Sequence, residues 1–273
     1  MRRLLVTGGC GYLGRELVRL APALGFEVRA TWHRAEPAGG AAEWVRADVR
    51  DVEAMRRAAD GCDAVVHTAY VQGGGAWEVN ADGSAAVAAA ARGARLVHVS
   101  TDLVFDGRRG RYRETDELGP VNEYGRSKAE AEARVARLHP EAAIARTSLL
   151  YGGAEPGPQE RLAAAHTRFF VDERRSPVQV GDLARALLEL VDVPHAGPIH
   201  LGGADDVSRF ELAVLLGADE ARLERAATTP DRAADVTLDS SLAASLLATR
   251  LRGVYEVLSP QTFSNVPKRS SWT

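Results

Sequence analysis

The stretch "RLLVTGGCGYLG", residues 3–14, runs a short aliphatic strand pattern into a glycine turn and out into a helical pattern. Three glycines alone are a weak signal, but a strand before them and a helix after them give each one a task. Gly8 permits the tight turn, Gly11 lets a pyrophosphate approach the backbone, and Gly14 lets the helix pack closely on the strand. The free N–H groups at the helix start then face the phosphates. The spacing is GxxGxxG, one residue wider at its first interval than the GxGxxG dinucleotide fingerprint.

Outward from this turn the chain alternates strand and helix patterns. "EVRATW", "DAVVHTA" and "RLVHVST" read as strands, while "YLGRELVRLAPAL", "DVEAMRRAAD" and "NADGSAAVAAAARG" read as helices. Strict alternation with nearly continuous apolar strands predicts a doubly wound parallel α/β sheet of Rossmann type, covered on both faces. Residues 1–150 form the expected nucleotide-binding domain, with strands and helices continuing past 150. Residues 151–258, looser and richer in glycine and proline, with helices near 181–192, 208–216 and 240–248, form a smaller mixed lobe. The serine- and proline-rich end, 259–273, reads as an unstructured tail.

Composition narrows the function. The 273 residues are 45% hydrophobic and 26% charged, with a formal net charge of −3. That balance gives no electrostatic footprint for nucleic acid or for an anionic membrane surface. No apolar run approaches the roughly 20 residues that span a bilayer, and the start has too few apolar residues for a signal-peptide core. Cys10 and Cys62 stand alone without metal-ligand spacing. A reduced cytoplasmic protein with a small-molecule substrate and no metal is the expectation.

The end of the second strand separates the two nicotinamide cofactors, because a carboxylate there binds a ribose 2′-hydroxyl and repels a 2′-phosphate. Here stand Thr31, Trp32, His33 and Arg34. With no acid present and His33 and Arg34 able to meet a phosphate, NADP(H) is preferred, NAD(H) staying open. Asp48, in "ADVRD", closes the third strand where a carboxylate can accept from the adenine amino group. Asp51 fits the N-cap of the following helix, which leaves Asp48 free for the base.

Only two of the chain's 34 basic residues are lysines, Lys128 and Lys268. In "EYGRSKAEAE", residues 123–132, Asn122 can cap a helix on which Tyr124, Lys128, Ala131, Val135 and Leu138 share one face. A lysine on an inward face carries a desolvation cost and needs a purpose. Its ammonium can lower the Tyr124 phenol from about 10 toward neutrality and can hold the nicotinamide ribose hydroxyls. Tyr124 then serves as the general acid that protonates a carbonyl oxygen as hydride arrives at carbon. "LVHVSTDLVFDG" ends a strand at Ser100 and Thr101, at the carboxyl edge where open α/β sheets bind ligands, so a hydroxyl there can hydrogen-bond the carbonyl beside Tyr124.

With these residues in hand the chain resembles the extended short-chain dehydrogenase/reductase family. The landmarks are "TGGCGYLG", "ADVRD", "VNADGSAAVA", "STDLVFDG", "YGRSK" and "ARTSLLYG", in order over about the first 150 residues. Within the family it looks most like the dTDP-4-dehydrorhamnose reductase group. The resemblance implies a catalytic set of Thr101, Tyr124 and Lys128 and a nucleotide-linked 4-keto sugar as substrate. It implies cofactor contacts at Gly8, Gly11, Tyr12, Leu13, Gly14, Asp48, Val49, Ala69 and Tyr70, beside Thr31, His33 and Arg34. On the substrate side the expected neighbours are Thr101, Val104, Phe105, Thr147 and Arg175, with "RRSPVQVGDLARALLEL" bringing Arg175 and Pro177 toward the sugar nucleotide.

Two departures from the group stand out. The segment between "LLYGG" and "FFVDERRSP" is shorter than usual, and Leu103 occupies the place where related dehydratases keep an acid, which favours reduction over dehydration. A non-catalytic dinucleotide-binding subunit and an epimerase are the alternative readings. A homodimer is open, although no self-complementary patch is legible.

Overall fold

The computed structural model describes residues 1–37, 39–40 and 42–258; the expected tail at 259–273 lies outside the described residues. Its centre is a parallel sheet built from β1 (Arg2–Thr7), β2 (Phe26–Trp32), β3 (Glu43–Arg46), β4 (Ala64–His67), β5 (Arg95–Thr101), β6 (Ala143–Thr147) and a last strand at Gly197–Leu201. Their spatial order is β3-β2-β1-β4-β5-β6 and then that last strand, seven in all. The order reverses between β1 and β4, so the loops after these two strands part and leave a crevice at the carboxyl edge. Every pairing in this sheet is parallel.

The doubly apolar strands expected from the sequence bury both faces. On one side Leu4, Val6, Val28, Val66 and Val97 pack with Leu13 and Leu17 of α1 (Tyr12–Leu20) and with Leu183 and Leu187 from later in the chain. On the other side Leu5, Val65, Leu96 and Ile144 meet α2 (Val52–Ala59), α3 (Gly83–Ala90) and α4 (Glu123–Leu138). The chain past residue 150 adds α5 (Pro158–Ala165), α6 (Val180–Leu190) and α7 (Arg209–Leu215). The sheet layers draw on that later chain, since α6 packs on α1 and the last strand pairs with β6. Three two-stranded pairs, including Arg174–Arg175 against Val207–Ser208, build the wall beyond the sheet edge.

The glycine turn has the geometry its sequence demands. Gly8 sits at φ +71°, and a Cβ there would lie 2.9 Å from Ala69 Cα, while one on Gly14 would lie 2.1 Å from the Gly8 carbonyl oxygen. Asp51 caps α2 by accepting from Ala54 N–H at 3.0 Å, and Asn122 caps α4 by accepting from Gly125 N–H at 2.8 Å.

The helix expected over "NADGSAAVAAAARG" opens instead as a wider π turn, Trp77–Asp82, before α3 proper. The cause is Asn80, whose side chain pairs with both Val71 N–H and Val71 C=O at 3.0 Å and donates to Ser127 Oγ at 2.9 Å. A wide turn at this point aims a buried amide at the loop above and at α4 below, the kind of place where such turns recur.

Helix α4 is fixed at its middle and at its start. Arg146 of β6 and Glu132 of α4 form a buried ion pair at 2.8 Å. At the helix start, a Cβ on Gly125 would meet the Leu103 carbonyl oxygen at 2.2 Å and Pro120 Cβ at 2.9 Å. Gly125→Ala should therefore lose about 1–3 kcal/mol of stability in a urea titration, as overpacking does. A variant as stable as the parent would show that α4 is free to move away from the strand end.

Candidate active site

Two connected cavities lie over the carboxyl edge of the sheet. The larger, about 670 Å3, runs from Gly11, Tyr12, Leu13 and Gly14 past Thr101, Tyr124 and Lys128 to Thr147, Arg175 and Arg209. The smaller, about 270 Å3, is lined by Gly8, Thr31, Trp32, His33, Arg34, Asp48, Val49 and Ala69. Gly11, Thr68 and Tyr70 border both. Folding thus brings together residues that are far apart in the chain.

Lys128 is 3% exposed, and its ammonium donates to the Val99 carbonyl at 2.7 Å. Burial pushes the amine down to about 8, with Glu132 acting the other way. Lys128 is therefore no surface lysine leaning on Glu132, whose carboxylate belongs to Arg146. One of its three N–H donors is used by Val99, which leaves others for hydroxyls in the cavity.

Tyr124 departs from the expectation that Lys128 pulls its phenol toward neutrality. Burial pushes the phenol up instead, Tyr70 and Asp102 add to the rise, and hydrogen bonding with Thr101 and Gln72 opposes it. The Tyr70 ring lies 6.0 Å away, tilted by 52°. In this state Tyr124 is protonated at neutral pH. Thr101 also differs from its expected part: its Oγ1 donates to Asp102 Oδ1 at 3.1 Å and accepts from Leu103 N–H at 3.3 Å. Its hydroxyl stands between the Asp102 carboxyl and the Tyr124 phenol and can turn its proton to either.

Asp102 was not singled out by the sequence. It is 3% exposed, lines the cavity and accepts from Ser148 Oγ at 2.6 Å. Burial raises its carboxyl, opposed first by Arg175 and then by the Ser148 and Thr101 hydroxyls. The signal was there in its place after Thr101, in a short 3-10 turn, Asp102–Val104, that keeps the first residue at the strand edge.

Asp48 lines the smaller cavity, and Arg50 grips it with Nε at 3.0 Å from both oxygens and Nη2 at 2.5 Å, pulling the carboxyl down to about 2. His33 Nε2 lies 3.7 Å from the same carboxylate. Arg50, which the sequence reading passed over, therefore joins His33 and Arg34 on the wall of the smaller cavity. Val104 and Phe105 do not face the substrate side: both are fully buried in a cluster with Tyr112, Val236 and Leu238, and Phe105 stacks on Tyr112 at 4.2 Å.

The remaining expected contacts reach the cavity. Thr147 lines it while donating to Leu201 C=O at 2.9 Å, and Arg175 lines it while Pro177 is buried behind. Tyr12 borders the cavity and accepts from Gly153 N–H at 2.8 Å, tying the glycine turn to the loop before α5. Arg209 and Arg232, distant in sequence and without a local motif, complete the far wall.

Comparison with known proteins agrees with this architecture. The family described as RmlD substrate binding domain matches residues 1–253. The dTDP-4-dehydrorhamnose reductase of Mycobacterium tuberculosis is 38% identical over 247 residues, covering 81% of this chain and 78% of the relative. The dTDP-4-keto-6-deoxy-D-glucose reductase of Streptomyces niveus is 33% identical over 250 residues, covering 81% of each. Among solved structures, a hypothetical dTDP-4-dehydrorhamnose reductase from Sulfolobus tokodaii superimposes with a TM-score of 0.79 at 28% identity, over 92% of this chain and 97% of that one. With a matching family model along nearly all of the described residues, the chain belongs to the RmlD substrate binding domain family.

Proposed function

We propose that the chain is an NADP(H)-dependent reductase of a ketone on a nucleotide-linked sugar, a dTDP-linked 4-keto sugar being the class that its relatives' names point to. The observation that supports this most is the convergence of Thr101, Tyr124 and Lys128 on a cavity that runs on from the glycine turn. Residues 1–150 supply the cofactor side, and the later chain supplies the opposite wall.

The residues present fit a nicotinamide dinucleotide. The turn around Gly8 and Gly14 leaves the close backbone approach that a pyrophosphate needs, and Lys128 has donors to spare for ribose hydroxyls. At the adenosine end His33, Arg34 and Arg50 surround the lone Asp48 carboxylate, so the wall suits a 2′-phosphate better than a bare ribose. The bound cofactor supplies the hydride.

The protein's own part is to hold and move a proton. Tyr124, protonated and close to Thr101, donates to the ketone oxygen as charge develops there. Lys128, one helical turn from Tyr124 and lining the same cavity, keeps a positive charge in place within the site as the phenolate forms. Thr101, between Asp102 and Tyr124, orients the Tyr124 hydroxyl and can donate to the phenolate that forms. Leu103 is apolar where a dehydratase keeps its acid, which favours reduction over elimination.

Two measurements test this. Purified protein should oxidise NADPH in the presence of a dTDP-linked 4-keto sugar, and Tyr124→Phe should lower kcat about 10²–10⁴-fold; NADPH binding with no turnover on any nucleotide-linked keto sugar would sink the reading. Lys128→Arg should also lose most activity, since a wider, permanently charged fork cannot take the same place.

The second measurement concerns stability. Because the unfolded chain holds the Lys128 proton more tightly than the folded one, burial of the ammonium costs on the order of 3 kcal/mol below pH 8. That cost fades as pH rises through 8 toward the unfolded value of 10.5. The stability of Lys128→Met relative to the parent should accordingly fall by about that amount between pH 7 and pH 10. A difference that stays constant across the window would mean that the ammonium is not buried.

A further inference from the structure

Between β4 and the π turn the chain crosses the mouth of the larger cavity with "YVQGGGAW", residues 70–77. Asn80, fully buried, holds Val71 through both its N–H and its C=O at 3.0 Å and donates to Ser127 Oγ at 2.9 Å. Ser127 Oγ in turn donates to the Tyr124 carbonyl at 2.8 Å. The loop is thereby set in register with the first turn of α4, the turn that carries Tyr124.

Past Val71 the tether stops. Gly73 and Gly75 take φ of +112° and +80°, and Ala76, itself buried, closes the turn with its N–H on the Gly73 carbonyl at 3.0 Å. A Cβ on Gly73 or Gly74 would meet nothing within 4 Å, so these glycines serve the shape of the turn and not close packing. Gln72 is therefore the last side chain the loop extends before three residues without one. It is exposed at the cavity mouth, and with Thr101 it is one of the two side chains that hydrogen-bond the Tyr124 phenol. The titratable groups around that phenol are Tyr70 at the start of the loop, Asp102 after β5 and Lys128 one helical turn along α4. Tyr70 and Asp102 both resist the loss of its proton. A neutral amide N–H aimed at the phenol oxygen does the opposite and adds no charge of its own.

We propose that Gln72 is a further catalytic residue, whose side-chain amide donates to the Tyr124 hydroxyl oxygen and holds the charge left there when the proton passes to the ketone. The proposal rests on the reductase reading above. In that step the Tyr124 O–H bond breaks and a new O–H bond forms at the ketone oxygen, while hydride from the nicotinamide reduces the ketone carbon. The electron pair of the broken bond stays on the phenol oxygen. A hydrogen bond to an ion is about twice as strong as one between neutral groups, so the Gln72 contact gains as the phenolate forms and lowers the barrier more than it aids binding. Thr101 divides one hydroxyl between Asp102 and Tyr124, whereas the Gln72 amide carries two N–H donors. Asn80 and Ser127 are positioning residues in this arrangement, and Gln72 is the contact.

Two measurements test it, one of them independent of turnover. Nuclear magnetic resonance on protein saturated with NADP and isotope-labelled at its four glutamines identifies the Gln72 side-chain N–H signal by its loss in Gln72→Leu. Tyr124→Phe should shift that signal and leave the signal of Gln179, which bonds Gly152 C=O, in place. With NADPH and a dTDP-linked 4-keto sugar, Gln72→Leu should lower kcat about 10–100-fold while KM stays within about twofold. Gln72→Glu, alike in shape but with a carboxylate where the donor stood, should lose at least as much. Both variants should melt with the parent, since Gln72 is exposed.

A Gln72 signal that stays in place in Tyr124→Phe would overturn the proposal, as would a kcat within about twofold of the parent in either Gln72 variant. A parent protein that reduces no nucleotide-linked keto sugar would remove the reductase reading and the catalytic role with it. That failure is distinct from an active parent whose turnover is indifferent to Gln72, which removes this proposal alone.

Discussion

An ammonium group buried beneath a helix is the constraint around which the rest of this site is arranged. Lys128 can stay charged only if its surroundings offer oxygen and no competing positive charge. The Val99 carbonyl at the end of β5 supplies the first. The floor supplies the second: His67 and His98 lie under α4 with ring centroids 5.2 Å apart. Burial, with Lys128 adding to it, pushes His67 down to about 3 and His98 well below its usual range. Two neutral imidazoles are polar without being cationic, which a buried lysine tolerates. Thr7 and Ser84 then hold the His67 ring at 2.6 and 3.0 Å, so the tuning reaches back to the first strand of the sheet.

How much of this was legible in the sequence depends on how far each feature reaches. The glycine turn, the caps at Asp51 and Asn122 and the shared face of Tyr124 and Lys128 are local, set by spacing within a turn or two, and the structure places them where the spacing puts them. The misreadings come where local continuity fails. Val104 and Phe105 stand three and four residues after Thr101, and the 3-10 turn at Asp102–Val104 rotates them off the sheet edge and into the core. The side chain of Arg50 folds back onto Asp48 from two residues on, a pairing that spacing alone does not announce. The Tyr124 phenol was judged by its nearest cation, whereas burial and the Asp102 carboxylate decide its direction. Arg209 and Arg232 were invisible because only the tertiary fold brings them to Glu173.

The electrostatics divide the cavity into zones. Around Tyr124 the groups are buried and few, so a proton stays on the phenol until a carbonyl oxygen accepts it. At the far wall the charges are dense and unbalanced. Asp102 stands at the boundary, in contact with Thr101 on one side and under the influence of Arg175 on the other. A ligand that is neutral at one end and anionic at the other matches such a gradient with its neutral end toward Tyr124.

The choice of lysine at 128 follows from a comparison within the same helix. One turn further along, the buried cation against α4 is Arg146, and there a permanently charged planar fork is what the site needs, because Glu132 is a fixed carboxylate that takes it through Nε and Nη2. At Lys128 no carboxylate is offered. A guanidinium would bring five donors to one backbone carbonyl and a ligand, spread its charge over a plane, and hold that charge at any pH. A lysine brings a compact charge whose amine, lowered to about 8 by its burial, still carries its proton at neutral pH and has donors left after Val99. A chain that otherwise favours arginine for its cations departs from it at the position where the positive charge must be small, aimed at one oxygen and only just retained.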